Sequence, residues 1–93
     1  MDNRMIKERI ISISKKYPIK RIVLFGSRAE GTNREDSDVD LIMEFNTPVS
    51  LLVISQIRCD LEELLGLDVD IIHGPLRETD LIEPGKMVEL YAA

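Results

Sequence analysis

Two aspartates separated by one residue, Asp38 and Asp40, follow a glycine–serine pair, Gly26 and Ser27, in the segment LFGSRAEGTNREDSDVDLIMEF. Residues i and i+2 of a strand project to the same side, so the two carboxylates can converge. Carboxylates at close range repel each other, and the repulsion raises the pKa of one of them. A bound Mg²⁺ would remove this penalty, because it takes oxygen ligands from one or two carboxylates together with substrate phosphates. The pair therefore predicts a magnesium site.

A later segment, LDVDIIHG, supplies another acid on one side of a predicted strand, Asp70, with Asp68 two residues before it. If this strand lies beside the strand of Asp38 and Asp40, three carboxylates surround one point. Three acids and two Mg²⁺ ions roughly 3.5 to 4 Å apart suit an in-line phosphoryl or nucleotidyl transfer. One ion draws charge from the leaving oxygens, and the other activates the attacking hydroxyl.

The glycine–serine pair is a candidate binding element for phosphate. Gly26 lets the backbone pass close to a ligand, and Ser27 offers its hydroxyl and exposed N–H groups to phosphate oxygens. Arg28 could add a cation at the same place. A glycine–serine dipeptide alone is a weak signal, whereas its spacing to an Asp-x-Asp strand and a third acid is much more specific.

The text GSRAEGTNREDSDVD contains Gly-Ser, ten residues and then Asp-x-Asp. It resembles the minimal nucleotidyltransferases of the DNA polymerase beta-like superfamily, and most closely the small antitoxins paired with HEPN-domain ribonuclease toxins. The resemblance covers residues 1 to about 73 and is weak over the tail. It implies the nucleotidyltransferase fold and transfer of a nucleoside monophosphate, usually AMP from ATP, with two Mg²⁺ ions. In the HEPN-paired members the acceptor is a tyrosine hydroxyl of the toxin, and adenylylation silences the toxin.

The same resemblance implies roles for individual residues. Gly26 and Ser27 match the phosphate-binding pair of the family. Asp38 and Asp40 match its two metal-binding acids, and Asp70 matches the third acid, which helps to activate the acceptor. Asp68 is the second choice for that third role, because it faces the same way from the start of the strand.

The hydrophobic pattern predicts the elements that must position these residues. In order, they are a helix over 2–17, a strand over 22–25, a loop over 26–37 with one helical turn, a strand over 38–45, a helix over 49–65 and a strand within 67–74. Pro84-Gly85 divides any helix of the tail into a short piece and a last one near residues 86–91. Three strands with helices between them predict an α/β or α+β fold, with a small mixed three-stranded sheet covered by helices.

The helix over 49–65 carries its own signals for its ends and its packing. Thr47 or Ser50 is a candidate N-cap, and Gly66 is the candidate C-cap. Cys59 is expected to be a small packed side chain. The core stripe is predicted to contain Ile54, Ile57, Leu61, Leu64 and Leu65, and the apolar surface widens at the start of the helix with Leu51, Leu52 and Val53.

Length and composition limit the class of protein. With 93 residues, 44% hydrophobic and 31% charged, the chain is expected to fold as a single domain over 1–93. It has no apolar run of membrane-spanning length and a charged N-terminus, so we expect a cytoplasmic protein with no membrane partner. A net charge of −5 argues against stable binding of duplex nucleic acid, which usually requires a basic excess. The oligomeric state, homomeric or heteromeric, stays open.

Three functions fit these observations. The first is an active protein adenylyltransferase that modifies a HEPN-type toxin. The second is a binding module of the same fold that neutralises its partner by contact alone, through Leu51, Leu52, Val53 and the tail. The third is nucleotidyl transfer to a small molecule or an RNA, although 93 residues leave little room for a second domain to hold such an acceptor. The intact acids favour the first function.

Overall fold

Three helices and four strands make up residues 2–74 and 86–93, the part of the chain that the computed structural model describes. The helices are α1 (Asn3–Ile13), α2 (Ser27–Glu30) and α3 (Leu51–Leu65). The strands are β1 (Ile19–Phe25), β2 (Val39–Phe45), β3 (Val69–His73) and β4 (Val88–Ala92). Within these ranges, no helix is both long and apolar enough to cross a bilayer.

The strands form one mixed sheet in the order β3-β2-β1-β4. β1 is antiparallel to both β2 and β4, whereas β2 and β3 are parallel. A parallel pair needs a long crossover between its strands, and α3 supplies it here. The predicted class, a mixed sheet with helices, is confirmed. The predicted count of three strands is wrong, because the described residues contain a fourth strand at the edge beside β1.

That fourth strand, β4, replaces the helix predicted near residues 86–91. Met87, Glu89 and Leu90 are good helix formers, so local preference alone favours a helix there. Pairing with β1 overrides this preference, with Glu89 opposite Val23, and it buries Leu90 in the core. The other predicted helical piece of the tail, before Pro84-Gly85, lies outside the described residues.

One hydrophobic core lies between the helices and one face of the sheet. Its largest fully buried side chains are Ile6, Ile10 and Ile13 of α1, Ile57 and Leu61 of α3, and Ile19, Ile22, Val39, Leu41, Met43 and Val69 of the strands. Side chains alternate between the two faces of a strand. The burial of Val39, Leu41 and Met43 against the helices therefore directs Asp40 to the opposite face.

The first helix is shorter than its hydrophobic stripe suggests. The Asp2 side chain accepts the Met5 N–H at 2.9 Å and caps the helix, which ends at Ile13 instead of the predicted residue 17. Tyr17 lies beyond the helix and donates its hydroxyl to Asp60 of α3 at 2.6 Å. Tyr17 thus continues the apolar spacing of α1 but packs on the core from the turn that follows the helix.

The ends of α3 agree with its sequence signals, but two of its predicted packed residues are exposed. Ser50 is the N-cap, and Gly66 ends the helix in the left-handed region with φ 65°. Cys59 is exposed because it lies two residues from both Ile57 and Leu61, on the other side of the helix. Leu64, in the last turn, is 41% exposed.

Candidate active site

The chain leaves β1 through Gly26, which has φ 77° and ψ −158°. This backbone region is open to glycine and to almost no other residue. A Cβ atom at Gly26 would also collide with Oδ2 of Asp40. The Gly26 carbonyl accepts the N–H groups of Ala29 and Glu30, both at 3.1 Å, which starts α2. The glycine therefore allows the Asp40 carboxylate to lie against the turn that starts α2.

The other two residues of the predicted phosphate element, Ser27 and Arg28, behave differently from each other. Ser27 is the first residue of α2 and is partly exposed beside Gly26. Arg28 is only 4% exposed, and its guanidinium donates to backbone carbonyls of the following loop, including that of Ser37 at 2.8 Å. The structure thus places Gly26 against Asp40, with Ser27 next to it in the chain, and directs the Arg28 side chain into the loop.

Strand register brings the acids together. In the antiparallel pair, Phe25 at the end of β1 lies opposite Asp40, and in the parallel pair Asp40 lies beside Asp70. Adjacent strands are about 4.8 Å apart, so two residues in register are close neighbours on one face. Asp38 immediately precedes β2 and is exposed. The backbone positions of the three acids and of the glycine turn therefore lie side by side where β1 ends and β2 and β3 begin, although the carboxylates themselves are not gathered around one point.

Asp68 occupies a different position from the three acids. It is exposed and precedes the first residue of β3, and its backbone carbonyl accepts the Val39 N–H at 2.9 Å. This bond joins the start of β3 to the start of β2. The parallel register places Asp70, not Asp68, beside Asp40.

The electrostatics of Asp40 reflect this crowding. Burial raises the pKa of the Asp40 carboxyl above its ordinary value, and the nearby charges of Asp70 and Asp38 raise it further. Both neighbours act on Asp40 in the same direction, as expected for carboxylates that share one region without a cation. The negative charges of Asp70 and Asp38 therefore disfavour the ionised form of Asp40.

The residues at this site are of the types that bind a divalent cation, but their side chains are not arranged as a metal site. Across residues 2–74 and 86–93, no group of three Asp, Glu, His or Cys side chains is preassembled as a metal site. The donors are oxygens only, they come from adjacent strands, and a cation would relieve the repulsion that raises the pKa of Asp40. The backbone register that a shared ion needs is thus present, while the three predicted ligands Asp38, Asp40 and Asp70 are not gathered.

A cleft of about 550 Å³ opens beside Asp40 and Asp70. Because β3 is at the edge of the sheet, the cleft takes residues from both faces of the sheet and from α3. Among the described residues, its lining consists of Phe25, Asp40, Leu51, Ile54, Ser55, Arg58, Asp70, Ile71 and Ile72. The lining combines five apolar side chains with two acids, a serine and an arginine.

Ser55 and Arg58 are cleft residues that the sequence pattern did not reveal. With Leu51 they are spaced i, i+4 and i+7, which places all three on one stripe of α3. This stripe is distinct from the core stripe of Ile57 and Leu61, and a second stripe of mixed polarity was the signal available. The stripe alone does not show which strand packs against α3. In the folded protein that strand is β3, and its packing makes the stripe part of the cleft.

The family model for the nucleotidyltransferase domain matches residues 5–90 of this chain. The chain belongs to this nucleotidyltransferase family. A candidate protein adenylyltransferase of Methanocaldococcus jannaschii is 40% identical to it in an alignment of 88 positions that covers 89% of this chain and 95% of that protein. The resemblance to minimal nucleotidyltransferases is therefore confirmed.

Solved structures show that the nucleotidyltransferase fold is shared more widely. A candidate minimal nucleotidyltransferase is 36% identical, with a TM-score of 0.67 over 89% of this chain and 84% of that chain. A structure of a tri-AMPylated HEPN toxin from Shewanella oneidensis in complex with an MNT antitoxin has a matching chain with a TM-score of 0.73 and 18% identity. That match covers 97% of this chain and 72% of the other, and it is evidence of the fold alone.

Proposed function

We propose that this protein is a Mg²⁺-dependent protein adenylyltransferase that transfers AMP from ATP to a tyrosine hydroxyl of a HEPN-type toxin and acts as its antitoxin. The observation that carries the proposal is the register that sets Asp40 beside Asp70 and next to the Gly26 turn. The M. jannaschii relative, a candidate protein adenylyltransferase, and the AMPylated HEPN toxin in the S. oneidensis complex support the choice of transferred group and acceptor.

The residues divide the work in this proposal. Asp38, Asp40 and Asp70 would hold two Mg²⁺ ions, which when bound neutralise charge on the phosphates and on the attacking oxygen. The backbone at Gly26 and Ser27 holds the triphosphate. The tyrosine oxygen attacks the α-phosphorus and gives its proton to the Asp70 carboxylate. The bond from that phosphorus to the bridging oxygen breaks, and pyrophosphate leaves.

The cleft accounts for the delivery of the acceptor. It is open at the edge strand β3, and exposed Leu51 is part of its wall, so a side chain of another protein can approach Asp70 from outside the sheet. Because ATP is the proposed donor, we propose that the reaction takes place in the cytoplasm.

The direct test is mass spectrometry of the toxin after incubation with this protein, ATP and Mg²⁺. We expect an AMP adduct on a toxin tyrosine, and none with the double variant Asp38→Asn and Asp40→Asn. The double variant Glu35→Gln and Asp36→Asn is the matched control, because it also removes two negative charges, from exposed loop positions close by. Unmodified toxin with the wild-type protein, or equal modification by the double variant, contradicts the proposal.

One observation favours a second function, neutralisation by contact alone. Leu51 and Leu52 are 80% and 82% exposed beside the cleft, an arrangement typical of a docking surface. Toxin inhibition by the double variant Asp38→Asn and Asp40→Asn distinguishes the two functions. If the double variant inhibits the toxin fully without forming an AMP adduct, neutralisation by contact is supported. If it loses both the adduct and the inhibition, catalysis is supported.

A further inference from the structure

Arg28 is the most buried charged side chain among the described residues, and four of its N–H groups have partners. Nε and Nη2 both donate to the Ser37 carbonyl, at 3.1 and 2.8 Å. Nη2 also donates to the Glu35 carbonyl at 3.0 Å, and Nη1 donates to Oδ1 of Asn3 at 2.9 Å. A guanidinium has five N–H donors, so at most one is left for any other ligand.

The loop that receives these bonds joins the two halves of the candidate site. Arg28 directly follows Ser27, and its main acceptor, Ser37, directly precedes Asp38. The loop is also closed by its own bonds, from the Arg34 N–H to Oγ of Ser37 at 2.7 Å and from the Ser37 N–H to the Arg34 carbonyl at 3.1 Å. The guanidinium therefore connects the Gly26–Ser27 turn to the start of the segment that carries Asp38 and Asp40.

We propose that Arg28 is a positioning residue that fixes the Asp38–Asp40 segment relative to the Gly26–Ser27 turn through the carbonyls of residues 35 and 37. It acts through the backbone and makes no contact with phosphate. This inference rests on the proposed function for its catalytic consequence, but the connection itself is a property of the protein without ligands. The sequence suggests that Arg28 binds phosphate as a cation, and we propose the positioning role instead of that one.

Charge and shape make different predictions for this position. A lysine keeps the positive charge, but its single ammonium cannot reproduce a planar fork whose N–H groups donate to the Ser37, Glu35 and Asn3 oxygens at the same time. A phosphate-binding cation would tolerate Arg28→Lys much better than Arg28→Met. A positioning residue would be impaired by both substitutions to a similar extent.

The experiment compares Arg28→Lys and Arg28→Met with Arg34→Met, which removes a cation from an exposed position of the same loop. The first readout is amide hydrogen exchange at Arg34 and Ser37 in metal-free protein. We expect faster exchange in both Arg28 variants and no change in the control beyond its own site. Unchanged exchange in the Arg28 variants overturns the proposal, whether or not the protein transfers AMP.

The second readout is AMP transfer, measured at a temperature at which each variant is folded. Misplacement of reacting groups by about 1 Å lowers rates by roughly 100-fold, so we expect that loss in kcat/KM for both Arg28 variants. Retention of activity in Arg28→Lys alone indicates a phosphate contact, and retention in both indicates a role in stability only. Either result overturns the proposal.

Ser37→Ala supplies a second perturbation in case the Arg28 variants do not fold. It deletes the hydroxyl that accepts the Arg34 N–H but keeps the carbonyl that Arg28 binds. We expect faster exchange at Arg34 and a loss of kcat/KM smaller than that of Arg28→Lys. Faster exchange together with wild-type kinetics would show that the order of this loop does not matter for transfer and would overturn the proposal. Absence of AMP transfer by the wild-type protein, with exchange as expected, overturns the proposed function instead.

Discussion

At the scale of single residues, Gly26 is constrained twice. Its backbone lies at φ 77° and ψ −158°, and the Asp40 carboxylate occupies the space of a side chain. Gly31, five residues later, has a similar φ of 76° but no atom within 4 Å of the position of a Cβ. Gly31, with ψ 14°, lies in the ordinary left-handed region, so Gly31→Ala tests a positive φ in open space, whereas Gly26→Ala adds both a stricter backbone region and the loss of room for a carboxylate.

Gly26→Ala is expected to destabilise the protein by about 3 kcal/mol, because strained backbone costs roughly 1–3 kcal/mol and the Asp40 side chain must move as well. Gly31→Ala is expected to cost only about 1–2 kcal/mol. Urea denaturation measures both values, and AMP transfer by the folded variants should survive only in Gly31→Ala. Equal stability and equal activity of the two variants would show that the contact with Asp40 is unimportant.

The repulsion at Asp40 predicts an unusual pH dependence of stability. Burial, Asp70 and Asp38 raise the pKa of Asp40 in the folded protein above its ordinary value of 3.8. Between the unfolded and the folded pKa the native state binds more protons, so the free energy of unfolding falls as pH rises through that window. At neutral pH the carboxylate is therefore destabilising in the absence of a cation.

Asp40→Asn should accordingly raise the free energy of unfolding at pH 7 in metal-free buffer and flatten its decline above pH 4. Asp36→Asn, at an exposed position, is the control and should leave the curve nearly unchanged. Chemical denaturation across pH with a chelator present gives the comparison. A less stable Asp40→Asn variant at pH 7 would mean that Asp40 has a favourable partner, not the repulsive neighbours inferred here.

At the scale of elements, β4 completes the sheet and is attached to it by both ion pairing and core packing. Arg21 of β1 bridges Glu44 of β2 at 3.2 Å and Glu89 of β4 at 2.8 Å. These ion pairs are exposed, and exposed pairs contribute about 0–1 kcal/mol. Leu90 of β4, only 8% exposed, packs into the core. Burial of one leucine should therefore matter more than two ion pairs.

Leu90→Ala is predicted to lower the free energy of unfolding by about 2–4 kcal/mol, the usual effect of truncating a buried leucine. Arg21→Met, which breaks both ion pairs, should lower it by less than about 1 kcal/mol. Denaturation in urea at low salt compares the two variants. A larger effect of Arg21→Met would mean that charge, and not burial, attaches β4 to the sheet.

The sequence predicts the elements whose patterns are local and misses those that depend on distant partners. Three of the strands and α3 follow from a continuous apolar run, alternation, helical stripes and caps such as Ser50 and Gly66, all of which are short-range signals. β4 is missed because its register is set by β1, more than sixty residues earlier in the chain. Its residues alone favour a helix.

The candidate site divides in the same way. The spacing of Gly26, Asp38 and Asp40 along the chain predicts a shared site, because strand alternation and a glycine turn are local properties. The parallel pairing of Asp40 with Asp70 and the burial of Arg28 under its loop require the folded chain. Sequence therefore suggests a cation role for Arg28, while its contacts in the folded protein support a positioning role.

At the scale of the whole molecule, the fold separates stability from chemistry. The helices and one face of the sheet form the core, and the acids project from the other face at the start of β2 and β3. The edge position of β3 leaves Asp70 open to the cleft, where a second protein can approach. The molecule is thereby suited to act on an acceptor that a partner supplies.

The assembly of the site from β2 and β3 is tested by comparing Asp70→Asn with Asp68→Asn in AMP transfer to the toxin. Both variants remove one exposed acid from the start of β3, but only Asp70 is in register with Asp40. Loss of a proton acceptor at the reacting centre typically lowers rates by about 10²–10⁴-fold. We expect a kcat/KM reduced to that extent for Asp70→Asn and within about threefold of wild type for Asp68→Asn. Equal activities of the two variants, or a selective loss in Asp68→Asn, would contradict the assembly of this site from β2 and β3.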